Sequence, residues 1–359
     1  MSSSTTSSLN DPRPRFPGTG AGAAAFEQQL EALRRTPGYR HYELVRSRVL
    51  EMRLLEAQLP HYKPSAYWEE ELGNFEYMLD ASPLVIEKLR HHAVHITGIR
   101  AYEYRSNRDR WRERFTEKRR VLLKHGKREL LVPESRALGG FGFDIEGDLY
   151  NLDTLKFFEV VIALEKGSVL EEFRSNTERR MVWEIGAGWG GFPYQFKTLC
   201  PNVTYVITDF PELFLFSATY LMTAFPDAKV RFWGEEPFAE TLANWRDYDF
   251  IFAPNAAVRE FVPERLDLTV NMVSFQEMTD EQVTDYVSRA HALNCPFLYS
   301  LNRERSAYNR ELESVSAIVS RYFWPHEIAM LPVPYTRMMN EGASSNDYKH
   351  LIGWRRVQV

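Results

Sequence analysis

Apolar positions along this chain fall into two regimes: helical spacing up to about residue 178, then short apolar runs separated by helical segments. Phe26, Leu30 and Leu33 recur at i, i+4 and i+7. After a break at Thr36-Pro37-Gly38, Tyr42, Leu44, Val45, Val49, Leu50 and Leu54 continue on a second helix. Two further helices are predicted over Ser65–Leu79 and Ser82–His92, the latter with Ser82 as N-cap and Pro83 at the first helical position. Asn151 to Thr154 opens another helix that runs through about Leu164, just after the glycine-rich stretch Leu138-Gly139-Gly140-Phe141-Gly142-Phe143.

From Met181 onward the alternation is that of an α/β domain with a mainly parallel sheet. Strands are predicted at Met181–Ile185, Thr204–Thr208, Val230–Phe232, Phe250–Ala253, Leu268–Val273 and Phe297–Leu301, with an antiparallel pair near Glu327–Leu331 and Lys349–Arg355. Helices are predicted from Gly191 or Phe192 to about Cys200 and over Phe210–Phe225. The pattern leaves open whether the Val230 or the Phe250 run is the third core strand. The expected fold class is α/β: a Rossmann-like sheet of about seven strands preceded by a smaller, mostly α-helical domain. The expected division is a disordered tail over 1–25, helices over 26–137, a connecting glycine-rich segment and helix over 138–178 able to act as a lid, and the Rossmann-like domain over 179–359.

Composition narrows the classes of function. Hydrophobic residues make up 44 % and charged residues 26 %, enough for one large core or a core with a satellite. A net charge of -5 argues against a nucleic-acid protein held by global electrostatics. Two cysteines, Cys200 and Cys295, imply no disulfide framework, which points to a reducing, cytoplasmic setting. No apolar run reaches the ~20 residues that span a bilayer. The expected partner is therefore a small-molecule substrate, and homo-oligomer formation is left open.

The stretch Met181-Val182-Trp183-Glu184-Ile185-Gly186-Ala187-Gly188-Trp189-Gly190-Gly191 joins a buried strand to a glycine turn and a helix. Without Cβ atoms the turn can be sharp, and a ligand can approach its backbone. Gly186-x-Gly188-x-x-Gly191 with Asp209 about 20 residues on matches the dinucleotide fingerprint. Glu184-x-Gly186-x-Gly188-x-Gly190 matches the first motif of S-adenosylmethionine-dependent methyltransferases. A pyrophosphate wants free N–H groups and positive potential, whereas Glu184 adds a carboxylate and Pro193 removes a donor. S-adenosylmethionine carries a sulfonium and an ammonium, so acidic neighbours suit it. Glu184, Gly186, Gly188, Gly190 and Asp209 are accordingly the candidate cofactor-binding residues.

From about Pro64 to Arg355 the chain resembles a family of enzymes named as sugar O-methyltransferases, class I enzymes that use S-adenosylmethionine. The likeness lies in Gly140-Phe141-Gly142-Phe143, Asn151-Leu152-Asp153-Thr154-Leu155, Trp183 to Gly191, Asp267 to Met278 and Tyr348-Lys349-His350-Leu351-Ile352-Gly353. It implies S-adenosylmethionine as cofactor and transfer to a hydroxyl of a sugar or glycosylated small molecule; the rivals are another acceptor, such as an amine, or a non-catalytic binding protein. Ligands of open α/β sheets lie beyond the carboxyl ends of the strands, which makes Asn271, Gln276 and Asn302 candidate substrate contacts. Glu277 and His350 are the candidate bases for the hydroxyl proton. The plainer alternatives are a first-turn helix acid for Glu277 and a packed, hydrogen-bonded histidine for His350.

Other features favour structural readings. His91 and His95 at i, i+4 lack a third ligand, and no paired aspartates mark a metal site near the strand ends, so no metal is expected. The basic segment Arg105–Arg128 carries Trp111 and Phe115, but Asp109, Glu113 and Glu117 are spaced to pair with it as on a solvated helix. Asn151 or Asp153 is expected to cap its helix.

Overall fold

A computed structural model describes residues 19–59, 64–174, 178–328 and 348–357. The N-terminal region folds into α1 (Thr19–Arg34), α2 (Pro37–Glu56), α3 (Ala66–Glu71), α4 (Pro83–Glu87), α5 (Leu89–His92), α6 (Val94–Thr97) and α7 (Asp109–Leu122). A hairpin of β1 (Phe143–Ile145) and β2 (Asp148–Tyr150) leads into α8 (Leu152–Lys166) and α9 (Leu170–Arg174). The α/β part runs β3 (Arg180–Ile185), α10 (Gly191–Leu199), β4 (Val203–Asp209), α11 (Pro211–Ala224), β5 (Val230–Phe232), α12 (Phe238–Ala243), β6 (Phe250–Pro254) and β7 (Leu268–Met272). It closes with α13 (Asp280–Ala292), β8 (Phe297–Asn302), α14 (Val315–Tyr322), β9 (Phe323–Glu327) and β10 (Lys349–Arg355).

The main sheet has eight strands in the order β5-β6-β4-β3-β7-β8-β10-β9. All pairs from β5 to β8 are parallel, and β10 lies antiparallel to both β8 and β9. The chain leaves β3 toward β4 on one side and later returns to β7 on the other, so the topological switch lies at β3, where a ligand crevice is expected. The Phe250 run is the interior strand beside β4, and the Val230 run is an extra edge strand outside it.

Alternation along β3 assigns the two faces. Glu184 points toward the α10 side, where it meets Tyr205, whose ring packs on Phe196. Trp183 points to the other side, against Phe261 and Tyr286 of α13. β4 is buried along its full length, as a strand covered on both faces must be.

Several boundaries differ from the expectation. Helix α1 starts at Thr19, inside the predicted tail; residues 1–18 and Leu331 lie outside the described residues. The Ser65–Leu79 helix is α-helical only to Glu71 and continues as a 3-10 helix over Leu72–Asp80. Lys88 (φ -114°, ψ 26°) splits the Ser82–His92 helix, and the Ser82 side chain makes no cap bond, although Pro83 holds the first position. Asn151 does cap α8, in a capping box with Thr154.

The helical region packs directly on the sheet region. Its buried side chains, from Tyr42 to Leu122, merge with those of the sheet into one hydrophobic cluster. Helix α2 lies along α11, with His41 Nδ1 3.0 Å from Thr223 Oγ1 and Arg53 paired to Glu212 at 3.2 Å. Arg90 of α5 is buried: its guanidinium donates to Glu134 and to Asp153, both at 2.7 Å, and stacks 3.5 Å over the Trp189 ring. Asn151 Nδ2 completes the network on Glu134 (2.9 Å) and on the Phe141 carbonyl (2.8 Å). The Gly140–Phe143 and Asn151–Thr154 signatures thus serve this buried junction. No described residue of 138–178 lines the cleft described below; its helical lining comes from α3, the 3-10 helix that follows it, α6 and α11.

Candidate active site

An open cleft of about 690 Å³ lies at the carboxyl ends of β3, β4 and β7. Gly186, Gly188, Asp209, Ser274 and Glu277 line its sheet side, and Tyr67, Trp68, Glu71, His95 and Ile96 its helical side. A second cavity of about 860 Å³, lined in part by Arg53, Glu56 and Glu212, adjoins it and shares Phe210 and Asn255.

The turn after β3 requires glycine. Gly186, Gly188 and Gly190 have φ of 74°, 58° and 85°, the left-handed region that side chains disfavour. A Cβ on Gly186 would lie 2.3 Å from Ser274 Oγ, and one on Gly188 would lie 2.8 Å from Ile96 Cγ2, so both neighbouring walls press on the bare backbone. Asp209, at the end of β4, clamps this turn: Gly188 N donates to one carboxylate oxygen and Phe210 N to the other, each at 2.9 Å. Burial nevertheless pushes its carboxyl up to about 7. Each oxygen keeps a further lone pair for a donor in the cleft.

Glu184 lies behind this turn and is not among the cleft-lining residues. It is fully buried, accepts from the Tyr205 hydroxyl at 2.7 Å, and leaves Oε1 without a hydrogen-bond partner among the described residues. Burial raises its carboxyl to about 8. A cation at the glycine turn would lower that value, which keeps Glu184 electrostatically relevant at one remove.

Glu277 stands on the same sheet side of the cleft, in the short 3-10 turn after β7 (Phe275–Glu277). It is half-buried, and burial lifts its carboxyl to about 8; Gln276 and Trp68 donate to it and oppose the rise, while the charge of Glu71 adds to it. Ser65, the N-cap of α3, donates to the Glu277 carbonyl at 2.8 Å and ties that helix to this turn.

The other predicted contacts form the framework behind Glu277. Asn271 donates to the Ile185 carbonyl (2.8 Å) and accepts from Asn302 Nδ2 (2.8 Å) and Phe275 N (3.0 Å). Gln276 donates to the Tyr348 hydroxyl (3.2 Å) and accepts from Arg303 N (3.0 Å). All three amides are buried, and none lines the cleft. His350 lies deeper still: Nε2 is 2.9 Å from Glu159 and Nδ1 2.6 Å from the Tyr299 hydroxyl, in a buried chain away from the cleft. This is the geometry of a packed, hydrogen-bonded histidine.

Sequence reading missed the residues contributed by α3 and α6. The only signal for them was the Ser65 cap, which places Trp68 and Glu71 on the first turns of a helix without saying what that helix faces. His91 and His95 fall on separate helices, and among the described residues no group of three or more His, Cys, Asp and Glu is arranged to hold a metal ion. Within Arg105–Arg128, Glu117 pairs with Arg120 at 2.7 Å on the exposed side of α7, while Phe115 and Leu122 face the core.

Fold and site together define an open, mostly parallel α/β protein with a ligand cleft at its topological switch. Neither a protein-family model nor a curated protein sequence matches the chain. Solved structures similar to it include phosphoethanolamine N-methyltransferase 2 of Haemonchus contortus in complex with S-adenosylmethionine (TM-score 0.35, 11 % identity, 54 % of this chain and 52 % of that one). An O-methyltransferase family protein of Burkholderia thailandensis is similar at TM-score 0.32 and 15 % identity over 56 % of this chain and 59 % of its own. The N-methyltransferase NodS of Bradyrhizobium japonicum WM9 is similar at TM-score 0.34 and 14 % identity, over 58 % of this chain and 100 % of its own. The match spans little more than half of each of the first two proteins. Similarity at this level assigns neither family nor acceptor.

Proposed function

We propose that the protein is an S-adenosylmethionine-dependent O-methyltransferase whose acceptor is a hydroxyl of a sugar or glycosylated small molecule. The carrying observation is the cleft itself: a glycine turn, Asp209 and Glu277 face one space, and no lysine or arginine is among its described lining residues. Such a lining suits a cationic nucleoside and gives a pyrophosphate no counter-charge. Gly186 and Gly188 offer bare backbone to the amino-acid half of the cofactor, and Asp209 offers acceptors to ribose hydroxyls. Phe210 and Asn255, which line both this cleft and the adjoining cavity, would hold its base.

When bound, the cofactor supplies a methyl group on a positively charged sulfur that departs as a neutral thioether. Alignment then accounts for much of the rate, and the cleft walls provide it. Glu277 would accept the proton of the acceptor hydroxyl on its carboxylate. A carboxyl at about 8 is matched to that task, because it is a stronger base than an ordinary glutamate and is still ionised in part near neutral pH. Calorimetric titration with S-adenosylmethionine tests the reading. Saturable binding that is lost in Gly188→Arg supports it, and no binding by the folded wild-type protein overturns it.

A further inference from the structure

The structure assigns the acceptor half of the cleft to α3, with Glu71 as the residue that restricts the acceptor to a ring of free hydroxyls carrying no anionic group. This rests on the methyltransferase reading and goes beyond it by naming what the acceptor lacks.

Helix α3 is fixed over the cleft by bonds that span the chain. Ser65 Oγ both caps the helix at Trp68 N and donates to the Glu277 carbonyl, and the Trp68 ring packs on Phe210 with centroids 5.4 Å apart. The helix therefore presents Tyr67, Trp68 and Glu71 to the space that Glu277 faces from the sheet. Flat aromatic rings beside carboxylates suit the apolar faces and hydroxyl edges of a sugar ring. A phosphate or uronate would lie beside Glu71 and Glu277 with no described lysine or arginine to offset it. An amine would be held there as ammonium, its lone pair free only after a proton has passed to Glu277. A neutral hydroxyl is the nucleophile that this lining favours.

The two carboxylates also interact: Glu71 raises the Glu277 carboxyl. Beside Glu277 stand Tyr67, Trp68 and Glu71 of α3, Gln276 of its own turn, and Tyr348 ahead of β10, over whose ring the Arg303 guanidinium lies at 4.7 Å; His95 of α6 and Asp209 of β4 line the same cleft.

The test uses the full chain, methyl-labelled S-adenosylmethionine and a panel of hexose and deoxyhexose methyl glycosides, each paired with its phosphate ester, its uronic acid and its amino sugar. Label on the neutral glycosides alone is expected. Glu71→Gln, verified as folded by its thermal unfolding midpoint, should raise KM for the neutral acceptor about 10-fold or more and move the acid limb of kcat/KM to lower pH. Glu71→Lys should admit an anionic partner. Transfer by the wild type to phosphate, uronate or amino sugars at least as fast as to neutral ones overturns the proposal. So does unchanged KM and pH limb in Glu71→Gln, or transfer to no member of the panel while the cofactor binds. Failure of the cofactor to bind removes the underlying reading instead.

Discussion

Arg90→Met should destabilise the protein strongly and loosen the glycine turn. Arg90 is 2 % exposed, and its guanidinium makes two charge-assisted bonds of 2.7 Å, to Glu134 and Asp153. Burial alone would lower the Arg90 pKa, but the charges of those two carboxylates reverse the sign and hold it above its ordinary value. Removing the cation leaves two buried carboxylates facing each other, a change that costs ~3–5 kcal/mol. Lys156, 3.4 Å from the other Asp153 oxygen, retains part of the pairing and puts the expectation near ~3 kcal/mol. Urea denaturation followed by tryptophan fluorescence reads this directly, and the triple variant Arg90→Met/Glu134→Gln/Asp153→Asn should recover part of the loss, since it removes the two carboxylates left facing each other. Because Arg90 stacks on Trp189 between Gly188 and Gly190, the single variant should also weaken cofactor binding. A single variant within ~1 kcal/mol of wild type, or a triple variant no more stable than the single, would refute the view that paired charge holds this junction.

Three further outcomes follow from the buried groups. Because Glu277 must be ionised to act and its carboxyl stands at about 8, kcat/KM should climb from pH 6 to 8 and level off above, and Glu277→Gln should lower kcat by ~10²–10⁴ and remove that limb; a retained limb would assign the base elsewhere. Glu184 has a folded-state pKa raised to about 8, so its contribution favours folding below about pH 4.5 and is lost progressively as pH rises toward 8. Glu184→Gln should therefore show stability that falls less between those values, checked by thermal melts across pH; a parallel pair of curves would contradict the raised value. His350→Asn should lower stability by ~2–3 kcal/mol through the lost bonds to Glu159 and Tyr299, yet leave the acid limb of the rate profile in place. Loss of that limb in a folded variant would return His350 to candidacy as the base.

What could be read locally was read from the sequence. The strand, glycine turn and helix around Gly186–Gly191 follow from covalent facts, since positive φ needs glycine and a buried parallel strand needs an apolar run. Asp209 at the next strand end follows from the length of one βαβ unit, and the Asn151 cap from a side chain bonding its own neighbours. Periodicity reports which face of an element is apolar but not what covers it. For that reason only the tertiary structure placed the Phe250 run inside the Val230 run, and it alone buried His350 against Glu159, 191 positions away. The same limit applies to the cleft: Tyr67, Trp68 and Glu71 reach Glu277 only because α3 is pinned by Ser65 to a turn 212 residues further on, a pairing that no local pattern encodes.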